Sequence, residues 1–76
     1  MVPEEEEEMN SIDVIAARLR EARLRSGQTQ AALAARLHVN KCLVSQYECA
    51  RRLPSVDMLT QLAAELGFSL DWLLME

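Results

Sequence analysis

Residues 29–48 read TQAALAARLHVNKCLVSQYE, a stretch that holds two short helical patterns separated by a turn. The first pattern, QAALAARL, follows Thr29, which is a good N-cap residue, and its leucines fall on one face. The second pattern follows Asn40, another N-cap residue, and we expect it to end at about Ala50. Two helices joined by a turn of about three residues form a helix-turn-helix pattern.

The second of these helices has an unusual polar face. Val44 and Tyr47 in this helix, and Val39 in the turn before it, are apolar and spaced so that they face inward. An ordinary solvent face is rich in glutamate, whereas the residues on the other side are mid-sized and mostly uncharged. They are Lys41, Cys42, Ser45 and Gln46. Such side chains suit the major groove of DNA, where lysine can donate to guanine and glutamine can pair with adenine. The alternative reading is a merely solvated face.

The rest of the chain is also rich in helix formers. The sequence has only two glycines and two prolines, and 50% of its residues are hydrophobic. A first helix is expected from Asn10 or Ser11 to the stop at Ser26-Gly27. A fourth should run from the Ser55 cap to Leu66, and a short fifth should follow Ser69. The sequence therefore predicts an all-α, compact five-helix domain over residues 11–76.

The charge is unevenly distributed along the chain. The net charge is −4, but five of the twelve acidic residues are the glutamates at positions 4–8, and without them seven acidic residues face eight basic ones. Glu48 is the only acid between Thr29 and Pro54, a stretch with four basic residues. We expect residues 1–10 to be an acidic, disordered tail. The glutamate run is either a solvated tail or a competitor of DNA for the basic surface.

Membrane, metal and catalytic roles find little support in the sequence. No apolar run approaches the roughly 20 residues of a membrane span, and we expect a cytoplasmic protein without a membrane partner. Cys42 and Cys49 lie too far apart along one helix for a disulfide, so they are either inert thiols or a redox switch. His38 is separated from Cys42 by the turn, so we expect no metal and no cofactor. The sequence does not place a nucleophile, a base and an orienting group at usable spacing, so we expect no enzyme.

Specific residues in a fixed order link the chain to a known family. They are Thr29-Gln30 at the start of the second helix, Ala34, Val39, Val44, Ser45, Glu48, Arg52 with Pro54, and the final GFSLDWLL. Residues 12–74 resemble the lambda-repressor-like (XRE, Cro/cI-type) helix-turn-helix DNA-binding domain. The sequence departs from that family at His38 and Ala50, where glycine is usual, and at Gln28, where an apolar residue is common.

The resemblance implies a role for each group of site residues, with the third helix lying in the major groove. The residues expected to contact bases are Lys41, Cys42, Ser45 and Gln46. Those expected to contact phosphates are Gln30, Asn40, Arg51 and Arg52. Arg23 and Glu48 are expected to form a structural ion pair. The last helix is expected to form a dimer interface through Trp72, Leu74 and Met75.

These expectations combine into a function. We expect a sequence-specific transcriptional regulator, of repressor or controller type, that binds a palindromic operator in double-stranded DNA as a homodimer. The alternative is an antitoxin-like module that neutralises a partner protein and binds DNA only secondarily. A protein partner such as a toxin or a polymerase is compatible with both readings.

Overall fold

A computed structural model describes residues 11–74, which form five helices and no strand. The helices are α1 (Ser11–Ser26), α2 (Gln30–Leu37), α3 (Lys41–Glu48), α4 (Val56–Leu66) and α5 (Leu70–Leu74). The predicted all-α fold class is confirmed. The expected acidic tail at residues 1–10, the Asn10 cap and Met75 lie outside the described residues.

Polar caps start the helices after α1 where the sequence predicts them. The hydroxyl of Thr29 accepts a hydrogen bond from the backbone N–H of Ala32 (3.0 Å), and Oδ1 of Asn40 accepts one from that of Leu43 (3.0 Å). Ser55 and Ser69 cap α4 and α5 in the same way. Each cap satisfies a backbone donor that the first helical turn leaves without a partner. Four helix starts are therefore encoded locally.

The helix ends are less regular, because two of them use left-handed backbone at residues other than glycine. Gly67 ends α4 with a φ of 76°, as expected for glycine. His38 ends α2 with a φ of 60°, a region that histidine tolerates better than most residues. Ala50 has a φ of 61°, and α3 ends at Glu48, so the expectation that α3 extends to about Ala50 is wrong by two residues. A left-handed residue cannot continue a right-handed helix.

One core connects all five helices. The largest fully buried side chains come from four of them: Leu33 in α2, Val44 in α3, Leu62 in α4 and Leu73 in α5. Leu19 adds the contribution of α1. Since α3 packs against both α1 and α2, its orientation is fixed by the core.

The short helix α5 is held by a side chain from α1, which is distant in sequence but packs against it. Nη1 of Arg18 donates hydrogen bonds to the carbonyl oxygens of Trp72 (2.9 Å) and Leu73 (3.1 Å). A helix of five residues is too short to be stable alone, and its last carbonyls have no partner within the helix. The guanidinium supplies that partner and ties α5 to α1.

Candidate nucleic-acid interface

The four predicted base-contacting residues share one side of α3. Lys41, Cys42 and Gln46 are exposed and Ser45 is half-buried. Residues three and four positions apart lie together on a helix. Lys41 and Ser45, Cys42 and Ser45, and Cys42 and Gln46 are spaced in this way, so the four residues form one surface, called here the outer face of α3. Val44, on the opposite side, is only 1% exposed. The structure thus leaves the outer face open to solvent and uses the inner face for the core.

The start of α3 places a further polar side chain beside the outer face. Asn40 is exposed, and its Oδ1 is occupied by the N–H of Leu43. The Nδ2 group of the same amide keeps two donors, which can reach a phosphate or a base. The N-terminus of α3 also carries the positive end of the helix dipole, which favours an anion there.

Basic side chains lie at both ends of α3. Lys41 starts the helix, and Arg51 and Arg52 follow its end; all three are exposed. Within residues 11–74, no carboxylate lies within ion-pair distance of any of them. Their charges are therefore available for phosphates, which position a protein on a duplex without reading its sequence.

A buried ion pair fixes the end of α3 to α1. Nε of Arg23 donates to Oε2 of Glu48 (2.7 Å), and Nη2 donates to Oε1 (3.0 Å). The two side chains are only 9% and 3% exposed. The hydrogen bond to Glu48 raises the pKa of Arg23 above its ordinary value. A third guanidinium donor reaches the carbonyl oxygen of Gln28 (2.9 Å), so Arg23 also holds the loop before α2.

Gln30 belongs to the same cluster, a contact that the sequence does not predict. Nε2 of Gln30 donates to Oε1 of Glu48 (3.1 Å), so the start of α2 is linked to the end of α3. One amide proton is committed to this bond, and the second remains for a phosphate. No spacing rule connects positions 30 and 48, and only the folded arrangement shows the contact. Gln30 therefore lies where it can contact DNA while it supports α3.

The predicted dimer residues lie in different environments. The Trp72 ring is half-buried and packs against Phe68 of its own chain, with ring centroids 5.6 Å apart. Leu74 is 51% exposed. Met75 lies outside the described residues. The fold therefore uses much of Trp72 internally and leaves Leu74 at the surface.

Other kinds of site find no support in the described part of the chain. No group of three or more histidine, cysteine, aspartate or glutamate side chains in residues 11–74 is placed to hold a metal ion. None of the five helices there is long and apolar enough to cross a membrane. Cys42 and Cys49 are both free and exposed.

Comparison with known proteins agrees with this geometry. Residues 14–73 match the model of a family described as the helix-turn-helix domain. The crystal structure of the clp gene regulator ClgR from C. glutamicum is similar, with 27% identity, a TM-score of 0.84, and coverage of 93% of this chain and 91% of that one. A hypothetical transcription factor, NHTF from Neisseria, is also similar, with 28% identity, a TM-score of 0.80, and coverage of 99% and 87%. No curated protein sequence matches.

Proposed function

Because this chain belongs to the helix-turn-helix domain family of DNA-binding transcriptional regulators, we propose that it binds a specific operator with α3 in the major groove. The observation that carries this proposal is the outer face of α3. It exposes Lys41 and Gln46 to solvent, while the buried Val44 side and the Arg23–Glu48 pair hold the helix in place. An eight-residue helix with such a polar face fits a groove about 12 Å wide.

The proposed roles follow from charge and position. Lys41 and Gln46 read base edges, with Cys42 and Ser45 beside them as smaller contacts. The exposed guanidinium groups of Arg51 and Arg52 bind phosphates and hold the domain in register, together with the amide donors of Gln30 and Asn40. The protein acts in the cytoplasm, where its DNA target lies.

We further propose that two copies bind a palindromic operator. The exposed Leu74, with the remaining surface of Trp72 and with Met75, supplies an apolar contact at the end of the domain. In such a dimer the two α3 helices enter the groove about 34 Å apart, one turn of the duplex. Sedimentation without DNA tests the dimer: the wild type should sediment as a dimer and Leu74→Glu as a monomer. A wild type that stays monomeric at high micromolar concentration would contradict it.

Salt dependence tests the DNA-binding proposal. Affinity for duplex DNA should fall steeply with salt, because each phosphate contact releases bound counterions. In a dimer, Arg52→Gln removes two phosphate contacts. The slope of log affinity against log salt should therefore become shallower by about 1.8. Arg36→Gln makes the same charge change at an exposed arginine that pairs with Glu65, so its slope should stay at the wild-type value. A wild type that does not bind duplex DNA at low salt would instead favour a module that binds a partner protein.

A further inference from the structure

We propose that the glutamates of residues 4–8 bind the arginines beside the end of α3 and compete there with DNA, so that the chain carries its own inhibitor. The surface consists of Arg20 on α1 and of Arg51 and Arg52 after α3, and is called here the arginine surface. The competition rests on the proposed DNA binding, whereas contact between the glutamates and the arginines does not.

The fold brings the start of α1 close to the end of α3. Asp13 and Arg20 of α1 line one open groove together with Cys49 and Ala50. Arg51 and Arg52 follow Ala50 directly in the chain. The glutamate run ends at position 8, three residues before Ser11, where α1 starts. An extended chain spans about 3.4 Å per residue, so positions 4–8 reach roughly 10 to 24 Å from Ser11. Asp13, which lines the groove, is two positions from Ser11, so a chain of this length can reach the groove.

Arg20 is the basic residue that lines this groove, and Arg51 and Arg52 follow the groove-lining Ala50 in the chain. Arg20, Arg51 and Arg52 are exposed, and none has a carboxylate at ion-pair distance within residues 11–74. The two acids that line the groove are already engaged: Glu48 by Arg23, and Asp13 by an interaction of its own. Neither of these acids pairs with Arg20, Arg51 or Arg52, so within residues 11–74 the three arginines have no carboxylate partner.

Other exposed arginines are poorer targets for the glutamate run. Arg25 pairs with Glu21 and Arg36 pairs with Glu65, both within the domain. A carboxylate from outside would have to displace a local partner at either position. The arginine surface instead offers cations that have no carboxylate partner within residues 11–74.

An extended run of glutamates resembles one strand of DNA in charge. It carries about one negative charge per 3.4 Å of chain, and a single DNA strand carries about one per 3.4 Å of helix axis. The same arginines cannot bind the glutamates and DNA at once. The apparent affinity for DNA is therefore the intrinsic affinity multiplied by the fraction of molecules in which the arginine surface is free. If the surface is covered for about 90% of the time, the apparent affinity falls about tenfold.

The contact itself is tested by NMR on the full chain without DNA. One variant replaces all five glutamates of residues 4–8 by glutamine, and a matched control replaces them by aspartate, which keeps the charge. At about 0.05 M salt, where screening is weak, the glutamine variant should shift the amide signals of Arg20, Arg51 and Arg52. The signals of Arg25 and Arg36 should stay in place, as should all five in the aspartate control. Shifts confined to the residues next to the glutamate run would overturn the contact.

Competition is tested by DNA affinity in the same variants. At about 0.05 M salt the glutamine variant should bind duplex DNA about tenfold more tightly than the wild type or the aspartate control, and the gain should fade at about 1 M salt, where the Debye length is about 3 Å. The gain should also shrink when Arg51→Gln and Arg52→Gln are present. An equal gain in that background would show a general charge effect and overturn the proposal. If no variant binds DNA, the proposed function fails and the competition with it, while the NMR result still decides the contact.

Discussion

The two faces of α3 have different tasks although they belong to the same eight residues. The inner face places Val44 in the core and Glu48 in a buried ion pair with α1. The outer face leaves Lys41 and Gln46 in solvent, where neither contributes to the core. In this helix, therefore, the residues that stabilise the fold and the residues proposed to recognise DNA lie on different faces. Substitutions can therefore test each one without the other.

The largest expected effect comes from Glu48→Ala. Removal of the carboxylate leaves the guanidinium of Arg23 buried without a charge partner, and breaking such a pair costs about 3–5 kcal/mol of unfolding free energy. Urea denaturation measures the loss. The matched control is Glu65→Ala, which breaks the pair with Arg36; because the Arg36 side chain is 62% exposed, solvent screens that pair and we expect a much smaller loss there. Similar losses in the two variants would contradict the structural role of Glu48.

A smaller loss is expected from Val44→Ala, which removes two methyl groups from the core. Truncation of a buried aliphatic side chain loses transfer free energy and leaves a cavity, so we expect about 2–3 kcal/mol. Gln46→Ala, on the outer face of the same helix, should change the unfolding free energy by no more than about 0.5 kcal/mol. A destabilising Gln46→Ala would show that the two faces are not separable.

The smallest expected effect is a gain at the end of α3. Ala50 has positive φ, a conformation that costs an alanine about 1 kcal/mol and glycine almost nothing. Ala50→Gly should therefore raise the thermal midpoint by several degrees in a domain of this size. Ala17→Gly makes the same change at an exposed site inside α1 and should lower it, because glycine is a poor helix former. Shifts of the same sign would contradict the strained end of α3.

The helix starts could be predicted from the sequence because the signals are local. Thr29, Asn40 and Ser55 each cap the helix that follows, through a side chain three residues from its donor. The inward positions Val44 and Tyr47 follow from helical spacing alone. Local chemistry of this kind also predicts which face of α3 is exposed.

The missed features depend on contacts between distant parts of the chain. Alanine is a good helix former, so the residue type at position 50 does not predict a left-handed backbone; only the family resemblance, with glycine usual there, points to it. The bonds from Arg18 to the carbonyls of α5 span more than fifty positions, and the bond from Gln30 to Glu48 spans 18. Long polar side chains choose partners only once the helices are packed.

The most direct test of the account is to select bound sequences from random duplex DNA with three proteins: the wild type, Gln46→Ala and Arg52→Ala. If the outer face of α3 reads bases, Gln46→Ala should lose preference at one position of each half-site and keep the others, since one good base contact contributes about 1–3 kcal/mol of discrimination. Arg52→Ala should select the wild-type sequence and bind all sequences more weakly. Identical selected sequences from all three proteins, with equal losses of affinity in both variants, would contradict base recognition by the outer face of α3.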